Sequence, residues 1–142
     1  MEQQFKYQEL LERDGLAEIC PPLNIQQNEI LSYHFVKSPI KCEFNFKPKV
    51  LKRPIRVNSL DDLRLCSNYA LSFFTSEDSA RQVFKGFPNR IKQLLGYTNI
   101  AQGTIKPFMG ACTQVDHSGH FDLYENENIE MCDHFHIIGD LT

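Results

Sequence analysis

Between residues 75 and 88 the chain carries a complete helix signature, and the apolar runs around it are only strand-sized. Thr75 and Asp78 have the spacing of a capping box. Ala80, Val83, Phe84 and Phe87 follow at i, i+3, i+4 and i+7, which makes one buried stripe. Gly86 and Pro88 close the helix. Just upstream, residues 70–74 (ALSFF) read as a buried strand. Just downstream, Asn89 is placed to cap a second short helix in which Ile91, Leu94 and Leu95 face inward, and Gly96 supplies a left-handed end. An amphipathic helix set among strands has to bury its stripe against a sheet.

The remaining elements follow from local pattern. Residues 2–14 read as a helix stopped by Gly15. Residues 30–36 (ILSYHFV), rich in β-branched and aromatic side chains, read as a strand. From 37 to 57 the chain holds Pro39, Pro48 and Pro54, so an edge strand or extended arm is expected. Within it Cys42, Phe44 and Phe46 alternate with polar residues at period two. Asn58 and Ser59 precede a short helix near 60–66. Residues 98–107 read as extended chain, and 109–115, 120–124 and 131–138 as a β-meander with turns at 116–119 and 125–128. Strands and helices do not alternate regularly. The fold class predicted is therefore one α+β domain over residues 1–142. Its sheet is mixed or mainly antiparallel, with short helices packed on one face, and the helical segment 1–20 lies at the periphery.

A chain of 142 residues, 42% hydrophobic and 23% charged, can bury a core without staples. Five cysteines at wide spacing, an odd number with no CxxC pair, predict reduced buried thiols rather than a disulfide framework. Together with a first decapeptide lacking an apolar run, this predicts a soluble cytoplasmic protein with no membrane partner. Net charge is −3, but it is polarised. Between residues 37 and 56, Lys37, Lys41, Lys47, Lys49, Lys52, Arg53 and Arg56 stand against Glu43 alone, whereas the chain from Asp116 onward carries seven acids and no Lys or Arg.

Three constellations could carry chemistry. Four of the five histidines lie between 117 and 136. If 120–124 and 131–138 pair as a hairpin, His120, Asp122, His134 and His136 share one face and offer ligands to zinc or iron. His120, oriented by an acidic neighbour, is also a candidate acid–base. The plainer alternative is a solvated sheet face with Met131, Phe135 and Ile137 turned to the core. The second constellation is the basic segment. Lys47, Lys49, Lys52 and Arg53 suit an acidic protein partner. Interleaved with Phe44 and Phe46 they also suit single-stranded nucleic acid, although the chain as a whole is acidic.

The third constellation lies in chain order. Arg53 or Arg56, then Phe74-Thr75-Ser76, then Glu125-Asn126-Glu127 resemble the arginine, Ser-Thr and Glu-x-Glu elements of some ADP-ribosyltransferases. The resemblance covers only these scattered positions. It implies NAD as the co-substrate, with Arg56, Ser76 and Glu127 at the reaction centre. No GxSxG, P-loop or dinucleotide fingerprint occurs. The reading that best fits the residues as a whole is a small binding or regulatory module acting on a protein partner through its polarised surface.

Overall fold

The computed structural model describes residues 4–52 and 61–142. Six strands form one sheet in the order β4-β5-β2-β1-β3-β6, with every neighbouring pair antiparallel. They are β1 (Ile30–Val36), β2 (Leu71–Phe74), β3 (Asn99–Ile105), β4 (Gly110–Cys112), β5 (His120–Glu125) and β6 (Phe135–Asp140). The helices are α1 (Gln8–Arg13), α2 (Lys49–Lys52), α3 (Asp62–Ser67), α4 (Glu77–Gly86) and α5 (Asn89–Leu95). The single α+β domain with an antiparallel sheet and several short helices is thus as expected.

Side chains alternate across each strand, so the sheet has two distinct faces. One carries Tyr33, Phe35, Phe74 and Ile100, and α4 covers it with Ala80 and Phe84. The other carries Val36, Leu71, Phe73, Ala101, Phe121, Leu123 and Phe135. Short 3₁₀ turns at Glu43–Phe46 and Met131–His134 cover that second face with Phe46 and Met131. Gly103 lies beneath the second turn. A side chain there would collide with the Phe135 ring, whose Cγ would stand 2.7 Å away.

Several local expectations shift. The capping residue of α4 is Ser76 rather than Thr75, because the Ser76 Oγ accepts from the Ser79 N–H at 3.0 Å. Residues 43–46 wind as a 3₁₀ turn and 49–52 as a helical turn, not as an edge strand. The alternation of Phe44 and Phe46 gave way because both rings find partners inside the fold, Phe46 on His34 and Phe44 on Tyr97. The predicted meander is broken: β4 and β5 pair as a hairpin, but β6 crosses to the far edge beside β3. The start of the helix predicted near residue 60 lies outside the described residues, and α3 is capped by Asp61.

The N-terminal segment is not peripheral. Leu11 and Leu16 are fully buried with Val50, Leu65, Tyr69 and Tyr124 in a second core. Tyr69 donates to the Asp14 carboxylate. Cys20 and Cys66 form a disulfide with their Cα atoms 5.6 Å apart, which corrects the expectation of five reduced thiols. Spacing along the chain does not reveal that two cysteines 46 residues apart meet in one cluster. The support that reduced thiols lent to a cytoplasmic location is gone for this pair. Among the described residues no helix is long and apolar enough to cross a membrane.

Peptide mapping without reductant is expected to recover Cys20 linked to Cys66 and to alkylate Cys42 and Cys132. Cys20→Ser with Cys66→Ser should lower stability to urea by about 3 kcal/mol. Free thiols at both positions in protein purified under air would contradict the pairing.

Candidate functional site

The sheet is weakest between β1 and β2. Their register consists of the single pair Tyr33↔Phe74, whereas β1 and β3 pair along seven residues. Past that pair the two strands diverge, and backbone groups that would have formed a ladder need other partners. The His34 ring supplies one, with Nδ1 2.6 Å from the Ser72 carbonyl oxygen and Nε2 2.6 Å from that of Asn45. Phe46 stacks on the ring at 4.9 Å and Phe73 lies tilted against it at 4.8 Å. Burial, and then the Lys52 charge, push the His34 pKa down to about 4. The neutral ring donates to only one of its two carbonyl partners.

Asn45 completes the closure. Its Oδ1 accepts from the Lys37 N–H at 2.6 Å, and its Nδ2 donates to the carbonyls of Lys37, Pro39 and Ile40 at 2.7, 3.1 and 3.1 Å. One fully buried amide thus folds the lysine-rich segment back over the gap between the strands.

A cavity of about 290 Å³ opens at this divergence. Its walls are apolar: Phe35 and Phe74 from the sheet, Val83 and Phe87 from α4 and its end, Ile91 and Leu95 from α5. Polar groups converge from the other side, Lys49 and Lys52 from α2, Ser72 from β2, His120 from β5 and the Tyr97 hydroxyl. The Lys52 Nζ donates to the Tyr97 Oη at 2.9 Å and lies 4.4 Å from the centre of the Phe44 ring. The Lys37 ammonium lies 3.9 Å from the same ring. Burial, then Lys49 and Lys37, bring the Lys52 pKa down to about 7, while burial lifts Tyr97 to about 12. His120 sits between two acids, with Nδ1 3.6 Å from the Asp116 Oδ2 and Nε2 3.5 Å from the Asp122 Oδ1. Burial raises the Asp122 pKa, and His120 offsets part of that rise.

The residues singled out from sequence distribute unevenly over this geometry. Lys49, Lys52 and His120 meet at the cavity, and Asp122 stands beside His120. Lys47 points outward, 3.9 Å from Glu43. Arg53 and Arg56 lie outside the described residues. Ser76 is engaged as the cap of α4, next to the His120 end of the sheet. Glu127 is exposed beyond the opposite end of β5, roughly 20 Å away at the rise of a strand.

The four proposed metal ligands do not gather. His120 and Asp122 are on β5, whereas His136 is on β6 and His134 in the turn before it, four strand spacings or about 19 Å across the sheet. Cys132 also belongs to that turn, so the expected row of Cys132, His134 and His136 on one strand face does not form. Among the described residues no three His, Cys, Asp or Glu side chains are placed to hold a metal ion.

Two features were missed in the sequence. Ser72, the polar residue inside the buried run ALSFF, was the available signal for the cavity. Glu125 was passed over for Glu127, yet it is the buried acid: 1% exposed, with Oε2 2.8 Å from the Lys6 Nζ and Oε1 without a hydrogen-bond partner among the described residues. Burial raises its pKa to about 7, against the pull of Lys6. Family models, curated proteins and solved structures were each compared with the chain, and none matches.

Glu125 is disfavoured as a charge in the fold, so its contribution to stability is full below about 4.5 and is lost as pH rises toward about 7. Relative to wild type, Glu125→Gln is expected to gain about 2 kcal/mol between those pH values in urea titrations; a constant difference between the two proteins would refute the assignment. Asn45→Ala removes the side-chain partner of the Lys37 N–H and of the Lys37 and Ile40 carbonyls, while the Pro39 carbonyl keeps the Cys42 N–H, and should cost about 3 kcal/mol in the same measurement.

Proposed function

We propose that this chain is a small binding module whose cavity takes an amphipathic anion, an apolar body ending in a carboxylate or a phosphate. The observation that supports this reading is the polarity of the cavity. Phe35, Phe74, Val83, Phe87, Ile91 and Leu95 offer an apolar wall, and Lys49, Lys52 and His120 converge at one side of it. Apolar walls with a few convergent polar groups are the usual composition of a small-molecule site. The volume of about 290 Å³ suits a ligand the size of a medium-chain fatty acid or a substituted naphthalene.

A protein partner on the lysine side is the second reading. Lys41 and Lys47 are exposed along the outside of one short segment, which favours it. Phe44 and Phe46 are taken up by Lys37, Lys52, His34 and Phe135, so neither offers a face for a stacked base. The transferase reading would need Ser76 and Glu127 at one centre, and they stand at opposite ends of β5.

Calorimetry with octanoate and with naphthalene-2-sulfonate is the direct test. One site per chain is expected. Lys49→Glu with Lys52→Glu should weaken binding at least about tenfold, or about 1.4 kcal/mol. Val83→Trp, which fills the cavity without touching a charge, should abolish it. Uptake of neither probe by the wild-type protein would overturn the proposal. Charge reversal at Lys41 and Lys47 should leave probe binding unchanged and would weaken only a protein complex.

A further inference from the structure

We propose that Lys52 is a reversible covalent anchor that forms an imine with an aldehyde or ketone whose apolar body fills the cavity. This rests on the cavity being a binding site and adds carbonyl compounds with an apolar body to the anions it takes.

Three observations carry it. The Lys52 amine is presented to the cavity by α2 and is held by the Tyr97 hydroxyl at 2.9 Å. Among the described residues no carboxylate pairs with it. Its other neighbours are the Phe44 and Tyr97 rings, at 4.4 and 5.1 Å, and the ammonium groups of Lys37 and Lys49. An amine set among apolar groups and other cations loses its proton readily, which is how lysines become nucleophiles. The value of about 7 leaves a large share of Lys52 as free amine at neutral pH, whereas an ordinary lysine has almost none.

The chemistry closes without an added reagent. The Nζ lone pair attacks the carbonyl carbon and a C–N bond forms. A proton passes from nitrogen to oxygen, giving a carbinolamine. The carbon–oxygen bond then breaks, the oxygen leaves as water, and an imine remains. His120 lines the same cavity and is placed on the acid–base side of the site by Asp116 and Asp122. Its imidazole is the group available to supply the proton that the departing oxygen takes. Water reverses the sequence and restores the amine. The Tyr97 oxygen accepts from Nζ, so it fixes the direction of the lone pair rather than reacting.

The test is reductive trapping with octanal and cyanoborohydride at pH 7, followed by peptide mapping. One adduct at Lys52 is expected, formed at least about tenfold faster than at the exposed Lys41, Lys47 and Lys85. The rate should rise with pH and level off above about 7. Octanoate should protect Lys52. Lys52→Arg should lose the adduct, and Lys52→Gln repeats the measurement if the arginine does not fit; Lys41→Arg, outside the cavity, should keep both the Lys52 adduct and octanoate binding. Adducts spread over surface lysines with Lys52 untouched, while octanoate still binds, would overturn the imine and leave the binding site standing. Failure of both octanoate binding and trapping would remove both.

Discussion

The strand pair β1–β2 is where this fold is decided. A sheet whose central pair meets at one residue couple would leave carbonyls exposed to an apolar interior, and each such group costs roughly 1–3 kcal/mol unless paired. His34 and Asn45 together reduce that cost, the neutral ring by donating to one of its two carbonyls. The imidazole bridges Ser72 on β2 to Asn45 in the 3₁₀ turn, and the Asn45 amide gathers the backbone of residues 37–40. The gap is closed on one face by this polar plug and its flanking phenylalanines. On the other face it stays open as the cavity. The same divergence thus produces both this polar network and the candidate binding site.

The position of Lys52 follows from that closure. Once Asn45 folds residues 37–47 back, Pro48 and the single turn of α2 carry the chain across the end of the gap, with Val50 buried in the core shared by Leu65 and Tyr69. Lys49 and Lys52 lie three residues apart and therefore project on the same side of that turn, toward the cavity. The second core, built by the N-terminal segment and stapled by Cys20–Cys66, holds α3 and the residues around Val50. The disulfide belongs to a separate core from the cavity but anchors the layer that presents it.

The helices α4 and α5 and the strands β1 to β3 were legible because each carries its own local signal: a stripe of period near four, a cap, or a run of β-branched and aromatic residues. The segment 42–46 was not, since a period-two pattern of phenylalanines states only that alternate residues find apolar partners, and a 3₁₀ turn over His34 provides them equally well. The His120–His136 grouping failed for a different reason. It required β5 and β6 to be neighbours, and adjacency in sequence does not fix adjacency in a sheet. Phe135 found its place against Phe46 and Phe73 on the far side of β1, which draws β6 to the β3 edge. Of the candidate site, Lys49, Lys52 and His120 were each singled out, but for separate chemistries. Nothing in their spacing shows that 68 residues apart, Lys52 and His120 line one cavity.

A structural role alone accounts poorly for Lys52. Its stem and ammonium pack on Phe44 and Tyr97, and a cation over two rings can stabilise a surface by about 1 kcal/mol. Yet that gain holds only for the charged form, and this environment favours the neutral one, with Lys37 already on the Phe44 ring. A methionine would fill the same space without the cost of desolvating an amine. His34 differs in this respect: it is buried and uncharged, but its ring is fixed between the Ser72 and Asn45 carbonyls and donates to one of them. Lys52 faces a cavity and has one hydroxyl to hold. Local rules of burial are broken in natural folds mainly where function requires it, and Lys52 is a half-buried amine on the cavity wall with no carboxylate partner among the described residues.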